Sequence, residues 1–199
     1  MKPNFSLFKR SSPGPLPAAI GIHPDASFHG EWRPYQERVL RELEFHLEDH
    51  FLHVVAAPGA GKTVLGLEVI QRLGHHAVIL TPRTAIREQW IDTFSTFFLS
   101  DTALAAELVS SDIEDQKPLT VLTYQSLVGS RSATTDNKSS VSEAISKLAR
   151  GMREPNVKTL VLDESHHLTE AWGAEVQTIL ELVPDLWVVS LTATTALRL

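Results

Sequence analysis

The 199-residue chain contains no cysteine. That excludes a disulfide framework and any thiolate metal site, and it fits a reducing compartment. Long apolar runs are missing too: none approaches the ~18 apolar residues of a membrane-spanning helix. The N-terminus, MKPNFSLFKRSSPGPLPAAIGIHPD, lacks the apolar centre of a secretory signal because prolines break it up. There is no excess of basic charge. The formal net charge is −6, which argues against general adhesion to nucleic acid yet leaves room for a local basic face. Internal repeats are absent as well. What remains, 43% hydrophobic and 21% charged residues, is ordinary globular composition. The length suits one domain with a sizeable core.

Residues 1–28 read as a flexible arm rich in Pro, Ser and Gly. From Trp32 the texture changes. RPYQERVLRELEFHLED sets Tyr35, Val39, Leu40, Leu43 and Leu47 on one helical face, with Pro34 in the first turn. FLHVVAA, HAVILTP, LTVLTYQ, KTLVLDE and LWVVSLTAT are continuous apolar runs that predict strands. Helices are expected between them, over TVLGLEVIQRLG with Gly74 as its stop, over Thr84 to Phe98 (with Thr84 as N-cap if LTPRTAIREQW is a plain turn), and over LTEAWGAEVQTILELV. Continuous apolar strands separated by helices imply a parallel sheet covered on both faces. Asp101 to Pro118 holds either a short strand around ALAAELV or a loop. Gly129 to Asn156 reads as an insertion, polar in its first half, with an amphipathic helix over VSEAISKLARGM.

Chemistry concentrates at two strand ends. AAPGAGKT follows the first strand and opens a helix. It fits the phosphate-loop spacing G-x-x-x-x-G-K-[ST], with Ala56 at the first glycine position. Gly59 and Gly61 would let backbone N–H groups turn inward around Pro58 and Ala60 to cradle phosphate oxygens. The helix N-terminus adds its dipole. Lys62 offers a point charge to terminal phosphates, and Thr63 a hydroxyl to Mg2+. The bland rival is a Gly-rich turn with a surface lysine. The second end is TLVLDESHHL. Adjacent carboxylates at the tip of a parallel strand lie where such sheets bind ligands. Asp163 can hold Mg2+, and Glu164 can accept a proton from water attacking a γ-phosphate. The rival is a polar strand end that caps the next helix.

In order along the chain, RPYQ, APGAGKT, LTPRTAIREQW, TYQSL, DESH and SLTATT resemble the motifs of superfamily 2 helicases of the DExH type. The similarity is to their first RecA-like motor domain, and within them to XPB-like and type III restriction subunits. It covers nearly the whole chain after the arm. The resemblance implies an α/β fold, a three-layer αβα RecA-like P-loop NTPase domain over residues 29–199 with a mostly parallel sheet. It implies ATP and Mg2+ as cofactors. Gln36 and Arg33 would read the adenine. Thr81, Arg83, Thr123 and Gln125 would hold a nucleic-acid backbone, DNA rather than RNA. Hydroxyls and N–H groups can do this without reading sequence. For LTPRTAIREQW the bland rival is a plain strand-Pro-helix turn with Arg87 on a solvated face. Ser190, Thr192, Ala193 and Thr194 would couple the nucleotide and nucleic-acid sites, and His166 would link DESH to SLTATT.

Thr195 departs from the proline common after T-A-T in the family. Its second RecA-like domain, with the arginine fingers, is not in this sequence, which reads as a fragment or part of a split protein. That domain is an expected partner, in cis or in trans. Catalysis is assigned to Glu164, Lys62 and His166, with the chain alone nearly inactive. The expected setting is a bacterial-type cytoplasm, near the nucleoid, with no membrane. Two other functions compete: a nucleotide-gated binding or scaffold module without turnover, and an unrelated phosphate-loop NTPase. His46, His50 and His53 have loosely metal-like spacing, but a predicted helix end separates them. His75 and His76 are expected in a solvent-facing loop, and His167 has no assigned role.

Overall fold

A computed structural model of the chain describes residues 21–43, 50–127, 143–153, 157–165 and 170–193. The arm up to residue 20, Leu47, the polar half of the insertion, His46, His166, His167, Thr194 and Thr195 lie outside the described residues.

The order is α1 (Pro34–Glu42), β1 (Phe51–Val55), α2 (Lys62–Leu73), β2 (His76–Thr81) and α3 (Thr84–Phe97). Then come α4 (Ala105–Leu108), β3 (Val109–Ser110), β4 (Leu119–Thr123), α5 (Glu143–Met152), β5 (Val157–Asp163), α6 (Glu170–Leu182) and β6 (Trp187–Thr192). The six strands form one sheet, ordered β1-β6-β5-β2-β4-β3, and every pairing is parallel. The fold is therefore three-layered α/β. Parallel neighbours need crossovers, and the helices that supply them cover both faces. Leu65, Leu67, Val69, Ile70 and Leu73 of α2 pack with Trp90 and Phe94 of α3 on one face. Ile145, Leu148 and Met152 of α5 pack with Val176 and Ile179 of α6 on the other. Central strands β2, β4 and β6 are buried along nearly their whole length, which is why they read as unbroken apolar runs.

Local details follow the sequence with corrections. Pro34 opens α1, and α2 stops at Gly74 in a left-handed conformation (φ 72°). The N-cap of α3 is Arg83, not Thr84, because Arg83 keeps extended backbone (φ −149°, ψ 153°) while Thr84 is already helical. ALAAELV is neither plain strand nor loop. A 3-10 turn at Thr102–Leu104, capped by Asp101, runs into α4, and only Val109–Ser110 reaches the sheet edge. His76 lies in β2, and both His75 and His76 are half-buried rather than solvent-facing.

Candidate functional site

The parallel strands end together, so Val55, Thr81, Thr123, Asp163 and Thr192 share one edge of the sheet. In open α/β sheets the carboxyl edge is where ligands bind. The turn from β1 into α2 crosses this edge. Gly59 (φ 72°) and Gly61 (φ 90°) are both left-handed, a conformation that side chains with a Cβ resist. A Cβ on Gly61 would stand 2.8 Å from Gln36 Nε2.

Three residues of the upstream RPYQ segment hold this loop from outside. Arg33 Nη1 donates to the Gly59 carbonyl at 2.7 Å, Tyr35 Oη to Ala60 at 2.7 Å, and Gln36 Nε2 to Gly61 at 3.0 Å. Burial raises the Tyr35 pKa, so its hydroxyl stays a donor. Gln36 is 3% exposed, and its Oε1 accepts from the Arg33 backbone at 2.9 Å. Gln36 thus shapes the loop through both ends of its amide, while its second N–H and second lone pair keep the adenine role expected from the sequence open to test. Arg33 is exposed and bonded to the loop in the same way. In the sequence Tyr35 is an apolar helix position; a phenol 25 residues from its partner gives no signal until α1 packs on the loop.

Lys62 is 8% exposed. Its ammonium donates to the Ala56 carbonyl at 3.1 Å and lies 3.6 Å from Glu164 Oε1. Thr63 follows it, half-buried, while Pro58 and Gly59 are exposed at the loop tip. Asp163 is 5% exposed at the end of β5. Its Oδ2 accepts from Trp90 Nε1 at 2.7 Å and its Oδ1 from the Glu164 backbone at 2.9 Å. Burial pushes the Asp163 pKa up, and the Trp90 bond opposes that shift. Glu164 is left-handed (φ 48°), a strained backbone for a non-glycine residue. Its Oε2 accepts from the Ala193 N–H at 3.3 Å. The donor set fits the groups the sequence implied. A buried ammonium held mainly by carbonyls suits an anion, and a hydroxyl with a carboxylate is the hard-oxygen set of Mg2+.

Ser190 joins the neighbouring strands. It donates to Ser165 at 2.8 Å and pairs with His53 Nδ1 at 3.0 Å. Thr192, 2% exposed, ends β6 opposite Val55. His53 therefore serves a strand-to-strand bond, and among the described residues no three or more His, Asp or Glu side chains cluster as a metal site of their own. The candidate backbone contacts lie on adjacent tips, with Thr81 opposite Thr123. Arg83 and Gln125 are exposed, and Gln125 Nε2 reaches the Pro82 carbonyl at 3.4 Å. The threonine hydroxyls already have partners within the protein. Thr81 is fully buried and donates to the Leu122 carbonyl at 3.1 Å, and Thr123 pairs with Ser126 at 3.1 Å. Their hydroxyls brace the tips. Trp90 and Tyr124 escaped the sequence reading because both look like core aromatics. The one usable signal was that a buried indole N–H must find an acceptor.

A phosphate-type loop after β1 and paired carboxylates at the tip of a parallel β5 define the class: a RecA-like α/β domain. Residues 29–197 match the family described as "Type III restriction enzyme, res subunit", and the chain belongs to that family. Among curated proteins it is 39% identical over 71 residues to 055L of Frog virus 3 (isolate Goorha), named a helicase, covering 35% of this chain and 16% of that protein. It is 28% identical over 113 residues to Rad25 of Halobacterium salinarum, named a DNA 3'-5' helicase, covering 55% of this chain and 16% of that protein. The matches thus span about a sixth of these relatives' length. Among solved structures, the Hef helicase domain of Pyrococcus furiosus superposes with a TM-score of 0.55 at 17% identity, covering 82% of this chain and 33% of that one. The UvsW helicase of bacteriophage T4 gives 0.57 at 14% identity, covering 85% and 55%. The chain is the N-terminal RecA-like domain of a superfamily 2 helicase, a helicase-type motor domain. Among the described residues no helix is long and apolar enough to cross a membrane.

Proposed function

We propose that this domain binds ATP with Mg2+ and couples its hydrolysis to movement on nucleic acid, DNA in particular, as the first half of a superfamily 2 motor. One observation carries the reading: Lys62, buried at the head of α2, lies between the loop carbonyls and Glu164, next to the buried Asp163. Polyphosphate entering the loop would meet the N-terminal end of α2 and take the Lys62 ammonium from its carbonyl partners. Thr63 and Asp163 would hold the metal, which when bound neutralises charge on the phosphates. Glu164 would orient the attacking water and accept its proton. Its bond to the Ala193 N–H, with the Ser165–Ser190 bond, gives β6 a means to sense that carboxylate.

The relatives' names support the nucleic-acid part, and so do Arg83 and Gln125, exposed on adjacent strand tips. A second RecA-like domain, in cis or in trans, is the proposed partner that completes the site, in the cytoplasm. The test is a titration with a fluorescent ATP analogue, with Mg2+ and with EDTA. The wild-type chain is expected to bind more tightly with Mg2+, and Asp163→Ala to lose that difference while keeping the metal-free affinity. Equal binding with and without Mg2+ by the wild type would remove the metal assignment.

A further inference from the structure

The motor reading uses Asp163 as a metal ligand but does not explain why two buried aromatic donors converge on it. We propose that Trp90 is a positioning residue for the Asp163 carboxylate, tying α3 and the Thr81–Arg83 turn at its head to the metal site. The proposal rests on the motor reading above.

Trp90 has one polar atom, and its indole N–H can only donate. That atom reaches Asp163 Oδ2 at 2.7 Å, with both residues buried. A bond this short to an ionised oxygen belongs to the strong, charge-assisted kind. The terminal torsion of an aspartate is otherwise soft. One donor on Oδ2 and a second, the Glu164 N–H, on Oδ1 set the plane of the carboxylate. Each oxygen keeps acceptor capacity for a cation. Tyr124 adds a third anchor, donating to the Asp163 backbone carbonyl at 3.0 Å.

The origins of these donors give the contact its meaning. Trp90 lies in α3, ~9 Å along the helix from Thr84, and α3 starts directly after Arg83. Tyr124 stands between Thr123 and Gln125. Each candidate backbone-binding segment therefore sends one aromatic donor to the same aspartate. The helix after the phosphate loop takes part too. A Cβ on Gly66 of α2 would meet Trp90 Cη2 at 2.6 Å, so glycine there lets the indole pass beneath α2 to its acceptor. If Trp90 only filled the core, Trp90→Phe would cost stability and leave metal binding alone.

The experiment combines two readouts on the full chain. Mg2+ is titrated into the complex with a fluorescent ADP, for wild type, Trp90→Phe and Lys62→Ala. Trp90→Phe should need about ten-fold more Mg2+ or beyond, the value of one hydrogen bond to a charged group, with unchanged affinity in EDTA. Indole N–H resonances of the four tryptophans are recorded in parallel. The resonance lost in Trp90→Phe should move in Asp163→Asn, and again when Mg2+ joins the wild-type ADP complex. An unchanged Mg2+ requirement, with Lys62→Ala still losing nucleotide, overturns the positioning role and leaves the motor reading intact. Nucleotide binding indifferent to Lys62→Ala overturns the motor reading and this proposal with it. If Trp90→Phe does not fold, the wild-type and Asp163→Asn spectra decide: an indole resonance that ignores both Mg2+ and Asp163→Asn overturns the proposal.

Discussion

Gln36→Glu is nearly isosteric, and the structure says it should be costly. The Oε1 end loses little, since a carboxylate can still accept from the Arg33 N–H 2.9 Å away. The Nε2 end inverts. An amide donor 3.0 Å from the Gly61 carbonyl becomes an oxygen facing an oxygen, at a residue only 3% exposed. The Gly61 carbonyl keeps the Leu65 N–H at 3.1 Å, so the cost is one lost hydrogen bond plus a buried carboxylate facing a carbonyl, about 2–4 kcal/mol together. The pH sign is fixed. Burial raises the folded-state pKa of the new carboxyl above its unfolded value of about 4.3. The folded state then binds the proton more readily, so the penalty shrinks as pH falls through the folded pKa, and a protonated carboxyl can donate to Gly61 again. Urea melts near pH 7.5 and pH 5 measure this, and nucleotide titration should show weakened binding because the Gly61 turn loses its brace. A variant that melts like wild type at both pH values and binds nucleotide equally well would refute the clasp on the loop.

With the second RecA-like domain present, Glu164→Gln should keep nucleotide affinity and abolish turnover, because an amide keeps the shape but takes no proton. Single-turnover phosphate release checks it, and wild-type turnover would remove the proton-accepting role. Acid should destabilise the fold partly through His75, whose pKa is lowered by burial and then by nearby Lys158, His50 and His76. Its stability contribution is complete above the ordinary value of about 6.5 and is lost as pH falls below it, because the unfolded chain binds the proton first. His75→Gln should flatten that acid slope in urea melts, and an unaltered slope would assign the loss to other groups.

The layers were readable because β2, β4 and β6 are buried along nearly their whole length and carry no alternation, as a doubly covered parallel sheet requires. Strand order was not. Nothing local in KTLVLDE says that it lies between β6 and β2. Lys62 and Asp163 were legible because polar groups at apolar strand ends need a reason. Tyr35, Trp90 and Tyr124 were not, because each hides one donor in an aromatic ring that the sequence presents as core. The setting of Thr81 was hidden for the same reason. Hydroxyls on strand tips read as exposed until the neighbouring strand supplies Leu122 O as an acceptor.

The central claim is that the turn before α2 binds nucleotide phosphates through Lys62, and Lys62→Ala tests it most directly. A fluorescent ATP analogue with Mg2+ is titrated into wild type, Lys62→Ala and, as a surface control, Lys158→Ala, whose side chain is exposed on β5. Losing a charge-assisted contact in a buried cradle should weaken binding at least ten-fold in Lys62→Ala, while Lys158→Ala matches wild type. Equal affinity for all three would contradict the account.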